Sequence, residues 1–414
     1  MRKRIAALLV GGVLAAGATM GLAACGKKDN KLVLWGPSAQ QDSLKQMVEL
    51  FKEQNPDFGL EIELGVAGEG DAYSMMSNDP QSGADVFAYA NDQVVNLYSL
   101  GALAPLSSAV VADLKNTNIT ESVEAGKIGD SYYGYPYAAD NGFFMYYDSS
   151  IIDADQAKNL NDVLDACADA GKYFIYQLTT GWYAGSFIYG TGGEYTVTYS
   201  GSTVDSITCN FDQKLPDSEY TYGQLGGQQL IDLRQHDAFV DGDDTVLSNY
   251  LEGGRLGACI TGTWNADAIS SKLKDNYAAT ILPKWTSTID GNTYDWKSFA
   301  GYKLYGVNSF SSHIDEAHQL AAFLSGQAMQ EKRFDDSAIG PSNKAVAALD
   351  KVKNNVAIST ITNQIAQNSV VQTALPSSYW TEMESFANAM KAWDGSGNLV
   401  TRVEELVKAL KANG

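Results

Sequence analysis

Flat aromatic rings beside short hydrogen-bonding side chains recur along this sequence. They include Trp35, Tyr89 followed by Asn91 and Asp92, Trp182 with Tyr183, and Trp264 between Thr263 and Asn265. A sugar ring presents apolar C–H faces and a rim of hydroxyls, so its site needs flat rings beneath and Asp, Asn, Gln or Thr around. These segments supply both. Taken singly, each aromatic is also explained by core packing. Several, however, directly follow strand-like runs and sit beside Asp, Asn or Gly, which places them on loops at the carboxyl edge of a sheet.

Other chemistries fit less well. The chain has three histidines, His236, His313 and His318, and the last two are five apart, so they do not share a helical face as a metal-binding pair would. No Gly-x-Ser-x-Gly nucleophile elbow occurs. The run from Gly65 to Gly70 follows a strand but lacks the Lys-Ser/Thr of a phosphate loop, and Glu69 would repel phosphate. It reads as a flexible strand-to-helix loop. Asp394 to Asn398 with Glu405 departs from a calcium loop, because Leu399 stands where Gly is needed and Arg402 where an oxygen ligand belongs. Neither a metal nor a cofactor is expected. A pair of carboxylates for glycoside hydrolysis depends on the fold rather than on spacing, so a hydrolase remains the alternative class.

The ends and the charge restrict location and partners. Arg2, Lys3 and Arg4 precede an apolar stretch from Ile5 to Ala24, which closes with Leu22, Ala23, Ala24 and Cys25. That is an export signal at 1–24 with a lipoprotein cleavage site, so Cys25 carries the lipid and 25–30 form a tether. Removing the three basic residues leaves 26 Lys+Arg against 49 Asp+Glu, a net charge near −23. An acidic body repels phosphate backbones, so nucleic acid is not a partner. Cys167, Cys209 and Cys259 are odd in number and scattered, and read as buried free thiols.

The elements that must position these residues alternate two periods. Leu32 to Trp35 is a short apolar run, Leu44, Met47, Val48 and Phe51 follow at helical spacing, and Leu60 to Leu64 alternates as a strand does. With Asp85 to Tyr89 this gives strand, helix, strand, helix, strand, the pattern of an α/β sheet. Strand candidates at Tyr173 to Leu178, Gly257 to Thr261 and Ala278 to Leu282 predict a second α/β unit, as does a length too great for one core. From His313 onward helices dominate, at 317–324, 345–353, 379–393 and 400–410. The 23 tyrosines exceed what cores require, since a tyrosine hydroxyl wants water or a polar partner.

Read together, these segments resemble the maltose/maltodextrin-binding proteins among the extracellular solute-binding proteins of sugar ABC transporters. The resemblance rests on the runs Gly83 to Asp92, Tyr135 to Asp140 before Tyr146, Tyr147 and Asp148, and Thr261 to Trp264, with Phe299-Ala300-Gly301 and Gly340-Pro341 as later landmarks. It implies a two-lobed α/β fold of the type II periplasmic-binding-protein kind, each lobe a sheet flanked by helices, with a hinge and an interlobe cleft. One lobe would take 31–138 and 300–336, the other 139–299 and 337–414, with crossings at Ala139-Asp140 and near Phe299 and Ser337. Position by position, Tyr89 takes the place of an aromatic platform and Asp92 and Asp140 those of hydroxyl-accepting carboxylates. Gln93 stands where the family often has Arg, and Thr180 where an acid is common. Trp182 and Trp264 match stacking aromatics of the other lobe, and near the C-terminus Trp380 and Phe386 compete for one stacking position. Trp35 and Gln40 are further candidates from the first strand's loop. The implied role is non-enzymatic: a lipid-anchored monomer on the outer face of the bacterial cytoplasmic membrane, taking malto-oligosaccharides to ABC permease subunits. A different oligosaccharide is the nearest alternative ligand.

Overall fold

The computed structural model describes residues 30–412 apart from 202 and 373, so Cys25 and the export signal lie outside the described residues. Strand Lys31–Gly36 buries Leu32 and Leu34 on one face, and lies between two parallel neighbours, Glu61–Val66 and Val86–Ala90. Val86–Ala90 is buried at every residue, as a central strand covered on both faces must be. Helix Gln41–Gln54 puts Leu44, Met47, Val48 and Phe51 on one stripe and joins them to Leu32, Leu34 and Val86 in one cluster.

The long strand Ser298–Val307 completes this first sheet. It runs antiparallel to Val86–Ala90 and to Tyr135–Asn141, while its first residues pair in parallel with Ser369–Val371. The second sheet has the order Phe239–Asp241, Tyr173–Tyr176, Leu256–Thr261, Phe144–Asp148, Tyr277–Thr280. Phe144–Asp148 is antiparallel to both of its neighbours. Each sheet has its own buried clusters, so the molecule has two lobes.

The chain passes between the two sheets where Tyr135–Asn141 leads into Phe144–Asp148 and where it runs from Tyr277–Thr280 into Ser298–Val307. After helix Gln327–Ser337, by contrast, it turns at Ala338, and Ser342 and Asn343 still bond Asn118 and Gln330 of the first lobe. Ala338 has φ 48°, a left-handed cap that turns the chain sharply. The two crossings touch, since a Cβ on Gly142 would lie 2.6 Å from Phe299 O, and Ala139 N–H beside them donates to Gly340 O at 2.9 Å. The three cysteines are buried free thiols as expected, and burial pushes those of Cys209 and Cys167 up to about 11 and 12. Among the described residues no helix is long and apolar enough to cross a membrane, and no group of side chains could hold a metal ion.

Two stretches were not legible as strands. Tyr135–Asn141 and Ser298–Val307 are buried at most residues on both faces, so no alternation of buried and exposed positions marks them, and they carry two register irregularities where they pair. The hairpin Tyr195–Ser200 and Thr203–Cys209 also went unread, although its first strand alternates buried and exposed residues.

Candidate functional site

The parallel strands of the first sheet end at one edge, and backbone bonds clip their loops together. Ala67 N–H donates to Gly36 O and Ala90 N–H to Glu69 O, each at 3.0 Å. This brings three polar side chains to neighbouring strand ends: Gln40 on the turn Ser38–Gln40, Glu69 after Glu61–Val66, and Asp92 on the turn Asn91–Gln93. Gln40 Nε2 donates to Glu69 Oε1 at 3.3 Å, and Tyr137 O–H donates to the same oxygen at 2.7 Å. Gln40 Oε1 and Asp92 Oδ1 are buried with no donor. Burial pushes the Asp92 carboxyl up to about 7, against a slight opposing pull from its own backbone N–H.

Asp140 closes this edge at the crossings. It is 1% exposed, pairs with Lys303 Nζ at 3.1 Å, and accepts from Gly340 N–H at 2.8 Å. Thr263 O–H of the second lobe reaches the same carboxylate at 3.4 Å, so Asp140 ties both lobes and two crossings to one point. Burial pulls the Lys303 ammonium down, but the charges of Asp140 and Glu69 outweigh it and leave its pKa above the ordinary lysine value.

One edge of the second sheet offers rings. Trp182 follows Tyr173–Tyr176 on the short helix Gly181–Ala184, and Trp380 opens helix Ser377–Lys391. Their rings lie 6.2 Å apart at 32°, with Phe299 5.3 Å from Trp182 and 5.8 Å from Trp380. The approach is close enough that a Cβ on Gly181 would sit 2.4 Å from Trp380 O. Trp264 follows Leu256–Thr261, folds over Gly262 and is 48% exposed, a large ring left open to solvent. Thr180 Oγ1 beside Trp182 is another buried oxygen without a partner.

The structure thus brings Gln40, Asp92 and Asp140 to the edge of one lobe, and Trp182, Trp264 and Trp380 to the edge of the other. It does not bring Tyr89 or Phe386 there. Tyr89 is fully buried with Leu97 and Leu304, its hydroxyl aimed at Gly134, and Phe386 packs beside Gly227 and Met390 inside the second lobe. Gln93 is committed locally, donating to Gly70 O and accepting from Tyr73 N–H at 2.8 Å. Trp35 is half-buried, its ring against Gly65. Sequence reasoning passed over Glu69, which sat in a glycine-rich run, and Lys303, whose signal was a lone charge in an otherwise apolar strand.

The largest cavity described, about 610 Å³, lies elsewhere. Ala139, Ala300 and Tyr302 line it, and adjacent strand residues point to opposite faces, so it is behind the crossings from Asp140 and Lys303. None of its lining side chains has an unpartnered buried polar atom, so it is not where the unsatisfied acceptors are.

A family model described as bacterial extracellular solute-binding protein matches residues 46–360, most of the chain. The chain belongs to that family. Among curated relatives, this solute-binding protein is 24% identical over 372 residues to a galactooligosaccharide-binding protein of Bacillus subtilis (strain 168), covering 85% of this chain and 84% of that one. Among solved structures, one with acarbose superposes with a TM-score of 0.80 at 25% identity, covering 93% of this chain and 99% of that one. The maltodextrin-binding protein of L. casei BL23, without ligand, gives 0.77 at 20% identity, covering 92% and 99%. These likenesses bear out the resemblance read from the sequence and the two-lobed α/β fold it implied.

Proposed function

We propose that this solute-binding protein captures a malto-oligosaccharide in the cleft between its lobes and presents it, uncut, to the permease of an ABC importer. The observation that carries this reading is the difference between the two edges: buried acceptors without donors on one, and an open tryptophan and a tryptophan pair on the other. A ligand that brings hydroxyl donors and flat apolar faces satisfies both, and an oligosaccharide does. The maltodextrin-binding and acarbose-bound structures that share the fold support the choice of an α-glucan. Cys25, after small residues and an apolar stretch, anchors the body through lipid at the outer face of the membrane, where a monomer meets its permease.

The galactooligosaccharide-binding relative favours a second ligand, a galactose-containing chain, on the same site. Asp92 also has the raised pKa that a glycosidase acid needs, which keeps a hydrolase as the rival class. Calorimetric titration of the signal-free protein with maltose, maltotriose, maltotetraose and galactotriose, followed by chromatography of the recovered sugar, separates the three. Tight binding of intact maltotriose supports the proposal, galactotriose alone moves the ligand, and cleaved sugar overturns the class.

A further inference from the structure

Glu69 has an arrangement that its loop alone does not explain. Its Oε1 receives both Tyr137 O–H and Gln40 Nε2, while among the described residues no donor reaches Oε2. The donors that hold it are themselves fixed. The Tyr137 ring stacks on Tyr305 at 4.6 Å, and the Arg333 guanidinium lies 4.7 Å over it. Arg333 is 1% exposed and donates to Tyr305 O–H at 2.8 Å. Gln40, only 7% exposed, gives one amide N–H to Glu69 and leaves its own Oε1 buried without a donor.

A buried acceptor without a donor is costly, and two on adjacent loops, beside a carboxylate oxygen left free, are not explained by packing. We infer that Glu69 is a ligand-binding residue which, together with Gln40 Oε1, accepts hydrogen bonds from two neighbouring hydroxyls of one sugar ring. The inference rests on the oligosaccharide reading above and adds the specificity of that subsite. Both of these oxygens accept, so the ring must donate at both positions. A ring with hydrogen or a methyl ether in place of either hydroxyl binds more weakly. A uronic acid is repelled by the Glu69 charge. Tyr137 is a positioning residue, acting on the ligand through Glu69.

The test is titration of wild type and Glu69→Gln with maltotriose and galactotriose, alongside the melting temperature of each ligand-free protein. Glutamine keeps one oxygen for Tyr137 and Gln40, turns the free acceptor into a donor and removes the charge. The expected result is an affinity about ten- to a hundredfold weaker with the ligand-free melting temperature held. Tyr137→Phe weakens binding less, and adds nothing to Glu69→Gln. Should Glu69→Gln fail to fold, wild type is titrated with trisaccharide analogues lacking single hydroxyls, where an adjacent pair of positions must each cost about tenfold. Wild type binding no sugar removes the functional reading and this inference together. Wild type binding sugar while Glu69→Gln binds it within twofold, or an analogue series with no such pair, overturns this inference alone.

Discussion

The edges of the two sheets that carry the candidate site residues are built by different means. On the first lobe the side chains are held by hydrogen bonds and charge: Gln40 and Tyr137 on Glu69, Lys303 and Gly340 on Asp140. On the second they are held by packing: Trp182, Trp380 and Phe299 against one another, and Trp264 over Gly262. The polar edge is fixed before a ligand arrives and has little freedom to adapt. The aromatic edge offers area and tolerates different ring orientations. On the proposed function, hydroxyl positions would be read by one lobe and apolar faces by the other, and closure would bring the two readings together.

The comparison breaks most visibly at Asp140, where the lobes meet. Asp140→Ala leaves Lys303 without its nearest carboxylate and Gly340 N–H without its acceptor. The expected loss is about 3 kcal/mol of stability, read by urea denaturation, together with loss of binding. Trp264→Ala should do the reverse. Its ring is exposed, so the melting temperature holds while sugar affinity falls by about 2 kcal/mol, roughly thirtyfold, in calorimetry.

Asp92 sharpens the polar side. Its carboxyl stands near 7 in the fold against the usual 3.8, so the folded protein binds the extra proton and stability falls as pH rises between those values. Asp92→Asn should flatten that fall and raise the melting temperature at pH 8, while weakening sugar binding. Hydroxyl donors favour the carboxylate, so wild-type affinity should rise from pH 6 to pH 8 with release of protons, measurable in buffers of different ionisation heat. The smallest effect belongs to Tyr89→Phe. It removes a buried hydroxyl that has no partner, so stability should change by less than about 1 kcal/mol and sugar affinity not at all. A large loss of affinity would return Tyr89 to the site.

Much of the fold was legible because burial imposes period. Leu44, Met47, Val48 and Phe51 marked helix Gln41–Gln54, and the run around Val86 marked a strand buried on both faces. The crossing strands were not, because burial on both faces removes the alternation and Pro136, Gly301 and Lys303 interrupt their apolar runs. The candidate site residues were legible by type, and their placement was not. Trp182, Trp264 and Trp380 lie at a strand or helix end beside the cleft, but Tyr89 faces inward because it occupies a strand position whose side chain meets Leu304 and Gly134. Glu69 was obscured by the glycines around it. Nothing in its local sequence shows that Tyr137, 68 positions away, holds it.

On the proposed function, both edges grip one intact oligosaccharide. Calorimetric titration of the signal-free protein with maltotriose, with the sugar recovered afterwards, tests it most directly. The account predicts one site per chain, binding in the micromolar range or tighter, about −8 kcal/mol or better, and maltotriose returned uncut. No heat with maltotriose, or maltose and glucose among the recovered products, would contradict it.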